Sequence, residues 1–294
     1  MIKISKLNSQ VEIPTNHAGK STIVTTNATK LYLRSILKSW QYRNSFSDVK
    51  AHCLFIGYPR SGHSIVGSLI DAHPNAVIAH ELDVLQFLEY DLGFSRQQLY
   101  GLIVDNSQYW DKQRRVWSGY DYHVPNQWQG RAKKILVIGD KKGGISTRRL
   151  KDDPLLLSKL QKLTGVEIKI IHVVRNPFDN IATIAIKEGR LLRDAADYYF
   201  SSVEVNHTLQ SQYSTQILCV EHEQLINQPT ETLVQICNFL NLNPSTQYLR
   251  DCSSIIKKSP HYSRLEINWP KKIIDQVQVR ANNYDFLKNY TFSI

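Results

Sequence analysis

The sequence lacks several features that would place the protein in a membrane or in an oxidising compartment. No run approaches the ~20 consecutive apolar residues that a transmembrane helix needs. Residues 1–50 contain no apolar core of the kind found in a signal sequence. The four cysteines have no paired spacing, so we expect buried free thiols rather than disulfides or a metal site. These absences predict a cytoplasmic protein that uses neither a membrane nor a metal.

The sequence also lacks long runs of basic residues, although positive charge is abundant. Lys and Arg total 36 against 26 Asp and Glu, which gives a formal net charge of +10. Such a surplus indicates an anionic partner, which could be nucleic acid, an acidic membrane surface or a phosphorylated small molecule. Because the basic residues are scattered along the chain, we expect a small-molecule ligand and no nucleic acid.

Short apolar runs indicate the organisation of the chain. Residues 1–48 are polar and rich in Ser, Thr and Asn, and we interpret them as an N-terminal extension before a domain at 49–294. Continuous short runs are typical of strands buried on both faces of a parallel sheet. Four such runs are found at Cys53–Ile56, Ile135–Ile138, Ile168–Val174 and Gln216–Val220.

Helical patterns follow these runs. After the third run, Asn176 is a suitable N-cap, Pro177 suits the first helical position and Gly189 ends the pattern. After the fourth run, a helix is predicted to begin at Pro229. The alternation of strands and helices predicts an α/β fold, a single doubly wound domain with a central parallel sheet flanked by helices.

The stretch GYPRSGHS, residues 57–64, is close to a phosphate-binding P-loop, which makes the predicted fold P-loop-like. Its two glycines are separated by four residues, and Ser64 closes the pattern. Inward-facing N–H groups and the following helix dipole would hold a phosphate. A nucleotide triphosphatase needs lysine at position 63, which is His63 here, and the only cation of the loop is Arg60. The loop therefore predicts phosphate binding but disfavours a kinase or NTPase.

Polar side chains follow the other runs, at the strand ends where open α/β sheets bind their ligands. The second run leads to residues 140–143 (DKKG), the third to Arg175 and the fourth to His222. Thr183 follows Arg175 by eight residues, and an arginine fork with a hydroxyl suits a phosphate group. Three of the four strand ends carry a cation, which predicts a ligand with more than one negative group.

The loop, combined with RNPFD more than 100 residues later, resembles the sulfotransferase family. The resemblance covers roughly residues 52–290 and includes LCVEHEQLINQPTETLVQICNFLNLN and IIKKSPHYSRLEINW. It implies that the protein moves a sulfuryl group from 3′-phosphoadenosine 5′-phosphosulfate (PAPS) to an acceptor, without a metal. Arginine at position 60, where many relatives have lysine, is similar to the tyrosylprotein and several bacterial sulfotransferases.

The resemblance also implies which residues bind the donor. The 5′-phosphosulfate is expected at Arg60, Ser61, Gly62, His63 and Ser64. The 3′-phosphate is expected at Arg175 and Thr183. Further donor contacts are expected from His222, Lys257, Lys258, Ser259 and Arg264.

Transfer requires a base that removes the acceptor proton. Glu81 lies 21 residues beyond Arg60, and the resemblance to the tyrosylprotein and carbohydrate branches implies that it is the general base. His80 and His123 are the alternatives. Lys141 resembles the lysine that assists the sulfuryl group in those branches. Arg60 is expected to act electrostatically, because arginine does not give up its proton near neutral pH.

Residues 84–130 differ in composition from the rest of the chain and are expected to form an acceptor-site insertion. They contain ten aromatic residues and are slightly acidic within a basic chain. Such a lining favours a flat or cationic small molecule. We therefore expect sulfation of a hydroxyl or of an amine or guanidinium nitrogen in natural-product biosynthesis, with a saxitoxin-type alkaloid as one candidate. Carbohydrate or peptide acceptors, and nucleotide binding without catalysis, remain alternatives, and a homodimer is one option for the assembly.

Overall fold

A five-stranded parallel sheet forms the centre of the computed structural model, which describes residues 28–89 and 93–293. The strands are β1 (Ala51–Gly57), β2 (Ala76–His80), β3 (Val116–Trp117), β4 (Tyr120–Asp121), β5 (Val137–Lys141), β6 (Glu167–Val174) and β7 (Ile217–Glu221). The sheet has the order β2-β5-β1-β6-β7, and β3 and β4 form a separate antiparallel hairpin.

Helices flank the sheet on both faces. They are α1 (Ala28–Gln41), α2 (His63–Asp71), α3 (Val84–Glu89), α4 (Arg96–Lys112), α5 (Gly144–Asp152), α6 (Leu156–Thr164), α7 (Pro177–Glu188), α8 (Leu192–Gln212), α9 (His222–Asn227), α10 (Pro229–Phe239), α11 (Thr246–Ser254) and α12 (Lys271–Ala281). Within residues 28–89 and 93–293, none of these helices combines the length and the hydropathy that spanning a lipid bilayer requires.

The central strand β1 shows why the apolar runs are continuous. Successive residues of a strand point to opposite faces. Leu54 and Ile56 pack into the core beneath α4 and α6, whereas Cys53 and Phe55 pack into the core beneath α2 and α10. Both faces are covered, so every residue of β1 is buried. The predicted doubly wound α/β domain is confirmed.

The predicted helix after the third run is also confirmed in detail. The side chain of Asn176 accepts a hydrogen bond from the backbone N–H of Phe178, and Pro177 occupies the first turn of α7. Gly189 ends the helix in the left-handed conformation, which glycine adopts without strain. The prediction that a helix begins at Pro229 is confirmed by α10.

Strand β2 was missing from the four predicted strands. Its sequence, AVIAH, is short and contains two alanines, so its apolar signal is weak. It pairs with β5 in a register that sets His80 opposite Lys141. This pairing brings the residue after β2, Glu81, to the same edge of the sheet as Lys141.

The described residues include only part of the predicted N-terminal extension and part of the predicted acceptor-site insertion. Of the extension predicted at 1–48, residues from Ala28 form α1, which packs on α4, and the first 27 residues lie outside the described part. Residues 84–130 comprise α3, α4 and the β3–β4 hairpin, with residues 90–92 outside the described part. All four cysteines are free thiols.

Candidate functional site

The loop between β1 and α2 lies at the carboxyl edge of the sheet. Arg60 has a φ of 69° and an exposed side chain, and Gly62, the N-cap of α2, has a φ of 96°. A Cβ at Gly62 would lie 2.3 Å from Cδ2 of His222, so only glycine fits at this position. The loop is therefore packed closely against the end of β7.

The first turn of α2 suits an anion. Among the described residues no side chain caps this helix, so the N–H groups of its first turn have no side-chain acceptor, although that of Ile65 donates to the backbone oxygen of Gly62. Such N–H groups, together with the positive end of the helix dipole, bind phosphate or sulfate. Residues 60–64 thus fit the phosphosulfate group that the resemblance implies.

Glu81, Lys141 and Ser64 are in contact beside this loop. The Lys141 ammonium forms an ion pair with the Glu81 carboxylate and donates to Oγ of Ser64 at 3.0 Å. Nζ of Lys142 lies 3.1 Å from the other Glu81 oxygen. The structure thus brings a carboxylate, two cations and the last residue of the loop together at the ends of β2 and β5.

The charges of this cluster set its protonation. Burial alone would raise the pKa of Glu81, but the charges on Lys141 and Lys142 outweigh burial and hold this pKa well below its usual range. Burial lowers the pKa of Lys141, and the Glu81 carboxylate opposes that effect. At neutral pH Glu81 is therefore an ionised carboxylate, as a base must be.

Asp140 fixes the backbone on which Glu81 lies. Its buried carboxylate accepts the backbone N–H groups of Leu82 at 3.1 Å, Asp83 at 2.7 Å and Val84 at 3.1 Å. Both Glu81 and Asp83 have positive φ, 60° and 68°, which non-glycine residues adopt only when their surroundings impose it. Burial raises the pKa of Asp140 to about 7, and the N–H of Val84 limits the rise.

His63 is packed inside the loop rather than exposed to solvent. Its Nδ1 lies 3.2 Å from Oγ of Ser61, and a Cβ at Gly143 would lie 2.6 Å from its Nε2. Burial, and secondarily the charge of Lys141, lowers the pKa of His63 to about 3, so the ring is neutral at physiological pH. His63 connects the loop to the turn after β5, and no local sequence pattern predicts this contact.

A second polar cluster lies at the end of β6. Nη1 of Arg175 donates to Oγ1 of Thr183 at 3.4 Å and to the backbone oxygen of Arg60 at 3.3 Å. Nη2 donates to Oγ of Ser263 at 3.3 Å and to the backbone oxygen of His261. The structure therefore brings Arg175 and Thr183 together, as expected, and adds Ser263, which sequence reasoning missed.

The second cluster contains buried polar atoms without partners among the described residues. Nε of Arg175 and Nδ1 of His222 are buried and have no hydrogen-bond partner among the described residues. Buried polar groups are normally satisfied, so an unpaired donor points to a ligand. Burial lowers the pKa of His222 to about 4, with Arg175 and Lys257 adding to the effect, so this imidazole is neutral. These groups fit a phosphate beside Arg175.

The basic loop after α11 contains the remaining residues that are predicted to contact the donor. Arg264 is buried, and its guanidinium is bound to the Asp179 carboxylate and to the backbone oxygens of Phe292 and Ser293. Its nitrogens are thus engaged with α7 and with residues 292–293, and a direct donor contact by Arg264 stays a prediction. Lys257, Lys258 and Ser259 are exposed.

Aromatic side chains of α4 and of the β3–β4 hairpin contact the basic loop and the end of β2. The Lys257 ammonium lies 4.3 Å from the ring centroid of Tyr120. His80 stacks on Trp110 at 3.8 Å and meets Trp117 edge-on at 5.2 Å. Burial holds the pKa of His80 well below its usual range. His80 is thus a neutral packing residue.

The other alternative base is no better placed than His80. The side chain of His123 is exposed, and its backbone N–H donates to Oδ1 of Asp121 at 2.9 Å. Glu81, by contrast, is paired with Lys141, which also contacts the last residue of the loop. The geometry therefore favours Glu81 among the three candidates.

The chain is similar to known sulfotransferases in sequence pattern and in fold. A family model described as the sulfotransferase family matches residues 54–246. The sulfotransferase domain of the Synechococcus PCC 7002 olefin synthase is 18% identical, with a TM-score of 0.51 over 81% of this chain and 96% of that domain. Sulfotransferase STF9 from Mycobacterium avium is 11% identical, with a TM-score of 0.50 over 88% of this chain and 83% of its own.

The family model and the solved structures support different conclusions about this chain. No curated protein matches the chain at significant sequence similarity. At these identities the solved structures establish the fold alone, and the fold agrees with the family model. That model matches more than half of the chain and includes the loop, Glu81, Lys141 and Arg175. The chain therefore belongs to the sulfotransferase family.

Proposed function

We propose that this sulfotransferase moves the sulfuryl group of PAPS to a hydroxyl or amine of a small-molecule acceptor. The observation that carries the proposal is the pair of neighbouring anion sites, the loop with Lys141 and the cluster around Arg175. PAPS has a phosphosulfate at its 5′ end and a phosphate at its 3′ end, so it needs two such sites. The hydrogen bond from Arg175 to the Arg60 carbonyl joins them.

Two cations are placed to stabilise the charge that develops during transfer. A bond forms between the acceptor oxygen or nitrogen and sulfur, while the bond from sulfur to the bridging oxygen breaks and leaves its electron pair on the phosphate. Arg60 is exposed on the loop, and Lys141 contacts the last residue of the loop. Donors aimed at developing negative charge lower the barrier more than they stabilise the ground state.

Glu81 accepts the proton that the acceptor loses. In the structure Lys141 and Lys142 hold the carboxylate ionised. An anion bound at the loop competes for the Lys141 ammonium through its contact with Ser64, which weakens the pairing with Glu81. The proton affinity of Glu81 then increases, because an opposite charge nearby had lowered it. Donor binding therefore prepares the base.

The acceptor binds between Glu81 and the aromatic hairpin. Trp117 contacts His80, the residue before Glu81, and Tyr120 contacts Lys257 of the basic loop. Because the Lys257 ammonium occupies the Tyr120 face, a cationic acceptor group would bind this face in place of Lys257. A flat molecule with an amine or guanidinium, of which a saxitoxin-type alkaloid is one example, suits this surface better than a polyanionic glycan.

Thermal shift distinguishes this function from a kinase or NTPase. Adenosine 3′,5′-bisphosphate at ~100 times its Kd should stabilise the protein by about 2.7 kcal/mol, and ATP with magnesium should not. Stabilisation by ATP alone would contradict the proposal. The acceptor class is tested separately by turnover of PAPS with panels of cationic alkaloids, phenols, glycans and tyrosine peptides. Turnover confined to glycans or peptides would contradict the acceptor assignment and leave the donor assignment intact.

A further inference from the structure

The outer face of α1 carries an apolar stripe that no described residue covers. Leu33, Ile36, Leu37 and Trp40 recur at helical spacing, and their side chains are 56%, 43%, 68% and 70% exposed. Single exposed apolar residues are common, but four on one helix face form a contiguous patch. The protein therefore presents an apolar surface at α1 that is separate from the sulfotransferase site.

The inner face of α1 is fixed to the domain, so the outer stripe keeps its orientation. Oγ of Ser35 accepts from Nε2 of Gln98 at 2.9 Å, and the Tyr42 hydroxyl donates to Gln108 at 2.8 Å. Gly101 of α4 allows close approach, since a Cβ there would lie 2.8 Å from the Lys38 carbonyl carbon. These contacts hold one face of α1 against α4 and leave the opposite face outward.

Only positive charges accompany the stripe along the chain. Residues 13–47 contain five Lys or Arg and no Asp or Glu. Arg34 and Lys38 share the single carboxylate of Asp105 on α4, which offsets one of their two positive charges, whereas Lys30 and Arg43 are exposed at either end of the stripe. The Arg43 guanidinium lies 4.9 Å from the Trp40 ring centroid. The surface is thus apolar along its middle and basic at both ends.

We propose that α1 binds the surface of an anionic lipid membrane, lying parallel to it with the stripe inserted among the headgroups. A helix with one apolar face and basic flanks is suited to this position. Anionic headgroups attract exposed Lys and Arg, and tryptophan favours the boundary between water and acyl chains.

A second copy of the chain fits this surface less well. A symmetric pair of α1 helices packed antiparallel would bring Lys30 of one chain towards Arg43 of the other. Residues 28–47 contain no acid that could compensate that repulsion, and Asp105 of α4 is engaged by Arg34 and Lys38. An anionic surface replaces this repulsion with attraction.

Vesicle co-sedimentation of the full chain tests the proposal. We expect binding to vesicles of phosphatidylcholine with phosphatidylglycerol, and little binding to phosphatidylcholine alone. Raising the salt from about 0.1 M to about 1 M shortens the Debye length from about 10 Å to about 3 Å and should weaken binding. Leu37→Glu should weaken binding roughly tenfold, because it puts a charge into the inserted face. Lys30→Glu should weaken binding to the anionic vesicles only.

Val279→Glu is the matched control, because Val279 is a 65% exposed apolar residue on α12. Val279→Glu should bind vesicles like the unaltered chain. Leu37→Glu and Val279→Glu should both keep the thermal shift with adenosine bisphosphate. Absence of binding to anionic vesicles, or equal binding by Leu37→Glu, would overturn the proposal. So would a dimer in light scattering that Leu37→Glu dissociates without any vesicle binding. Vesicle binding that emerges only when residues 1–27 are removed would assign the stripe to that segment instead.

Discussion

The two cation clusters at the carboxyl edge of the sheet differ in the groups that hold them. Lys141, at the end of β5, forms an ion pair with a carboxylate, Glu81. Within the described part of the chain, Arg175, at the end of β6, hydrogen-bonds only to neutral oxygens, which are two backbone carbonyls and the hydroxyls of Thr183 and Ser263. A cation after a buried strand is thus paired with a carboxylate in one cluster and with neutral oxygens in the other.

This difference separates binding from catalysis. An anion that approaches Lys141 must compete with Glu81, so part of the attraction is offset by a weakened ion pair. Among the described residues no carboxylate hydrogen-bonds to Arg175, although Asp179 and Glu223 lie close enough to act on its charge. An anion that approaches Arg175 therefore forms a charge-assisted hydrogen bond without displacing an ion pair. We infer that the Arg175 cluster mainly supplies donor affinity, and that the Glu81–Lys141 cluster mainly supplies rate.

Replacement of Glu81 by glutamine should produce the largest effect. The amide keeps the shape of the side chain but cannot accept the acceptor proton, and proton transfer by a placed base contributes roughly 10²–10⁴-fold to rate. We expect kcat to fall by about that factor, with the Kd for adenosine bisphosphate changed less than about threefold. Steady-state kinetics and calorimetry check both values. Retained turnover would show that another group is the base.

Replacement of Arg175 by alanine should act mainly on donor affinity. Hydrogen bonds to charged groups contribute about 1.5–3 kcal/mol each, so the Kd for adenosine bisphosphate should rise roughly tenfold to a hundredfold. Arg190→Ala is a control, because Arg190 is exposed and paired with Glu188. A larger loss in kcat than in donor affinity would contradict the division between the two clusters.

Replacement of Asp140 by asparagine should reduce kcat by about tenfold without weakening the donor, because it disturbs the turn that positions Glu81. The amide nitrogen that replaces one carboxylate oxygen cannot accept the N–H groups that this oxygen now receives, which costs about 1–3 kcal/mol of stability. Asp71→Asn provides the comparison, since Asp71 is a buried carboxylate that accepts from Ile78 N at 2.6 Å. Asp71 is also paired with buried Arg115, so Asp71→Asn should lose more stability than Asp140→Asn. A reduced kcat for Asp140→Asn, with kcat unchanged in the less stable Asp71→Asn, would support a positioning role. Equal loss of kcat would contradict it.

The titration of Asp140 should also make the free energy of unfolding depend on pH. Its pKa is raised to about 7, whereas the carboxyl of an unfolded chain titrates near about 3.9. Between these values the folded protein binds more protons than the unfolded one, so this contribution to the free energy of unfolding falls as pH rises from about 4 to about 7. The free energy of unfolding of the protein and of Asp140→Asn can be measured with denaturant across this pH range. The difference between the two values should shrink as the pH rises. A constant difference would show that Asp140 does not titrate there.

Replacement of Tyr120 by leucine should have the smallest effect. It removes a face that holds a cation and leaves both clusters unchanged, and a cation–π contact at an exposed site contributes about 0.5–1 kcal/mol. The acceptor KM should rise roughly twofold to fivefold with donor KM unchanged. Tyr109→Leu, at another exposed tyrosine of the 84–130 segment, serves as the control. An altered donor KM would place Tyr120 at the nucleotide instead.

Local patterns explain why much of the fold was predictable. The helix after β6 has a capping side chain, a proline in its first turn and a glycine at its end, and each acts within a few residues. Strand β1 is buried on both faces and is therefore apolar throughout. By contrast, β2 is a weakly apolar segment whose conformation is fixed by its pairing with β5, which local sequence does not encode.

The candidate site was predictable where a residue follows a strand and unpredictable where two distant segments meet. Arg175 and Lys141 follow apolar runs, so the sheet edge could be inferred for both. Ser263 reaches Arg175 from a loop 88 residues further along the chain. Arg264, its neighbour, binds Asp179, which lies 85 residues earlier, and no local pattern in the sequence predicts this pairing.

The contact between Gly62 and His222 limits how this enzyme could be redesigned. A Cβ at position 62 would overlap the imidazole, which extends from the end of β7 on the far side of β6. A library that randomises the loop alone would therefore return glycine at position 62, whatever donor it is selected for. A smaller residue at 222 would remove this overlap, but the φ of 96° at position 62 would still strain any residue that has a Cβ, so both the contact and the backbone require glycine there.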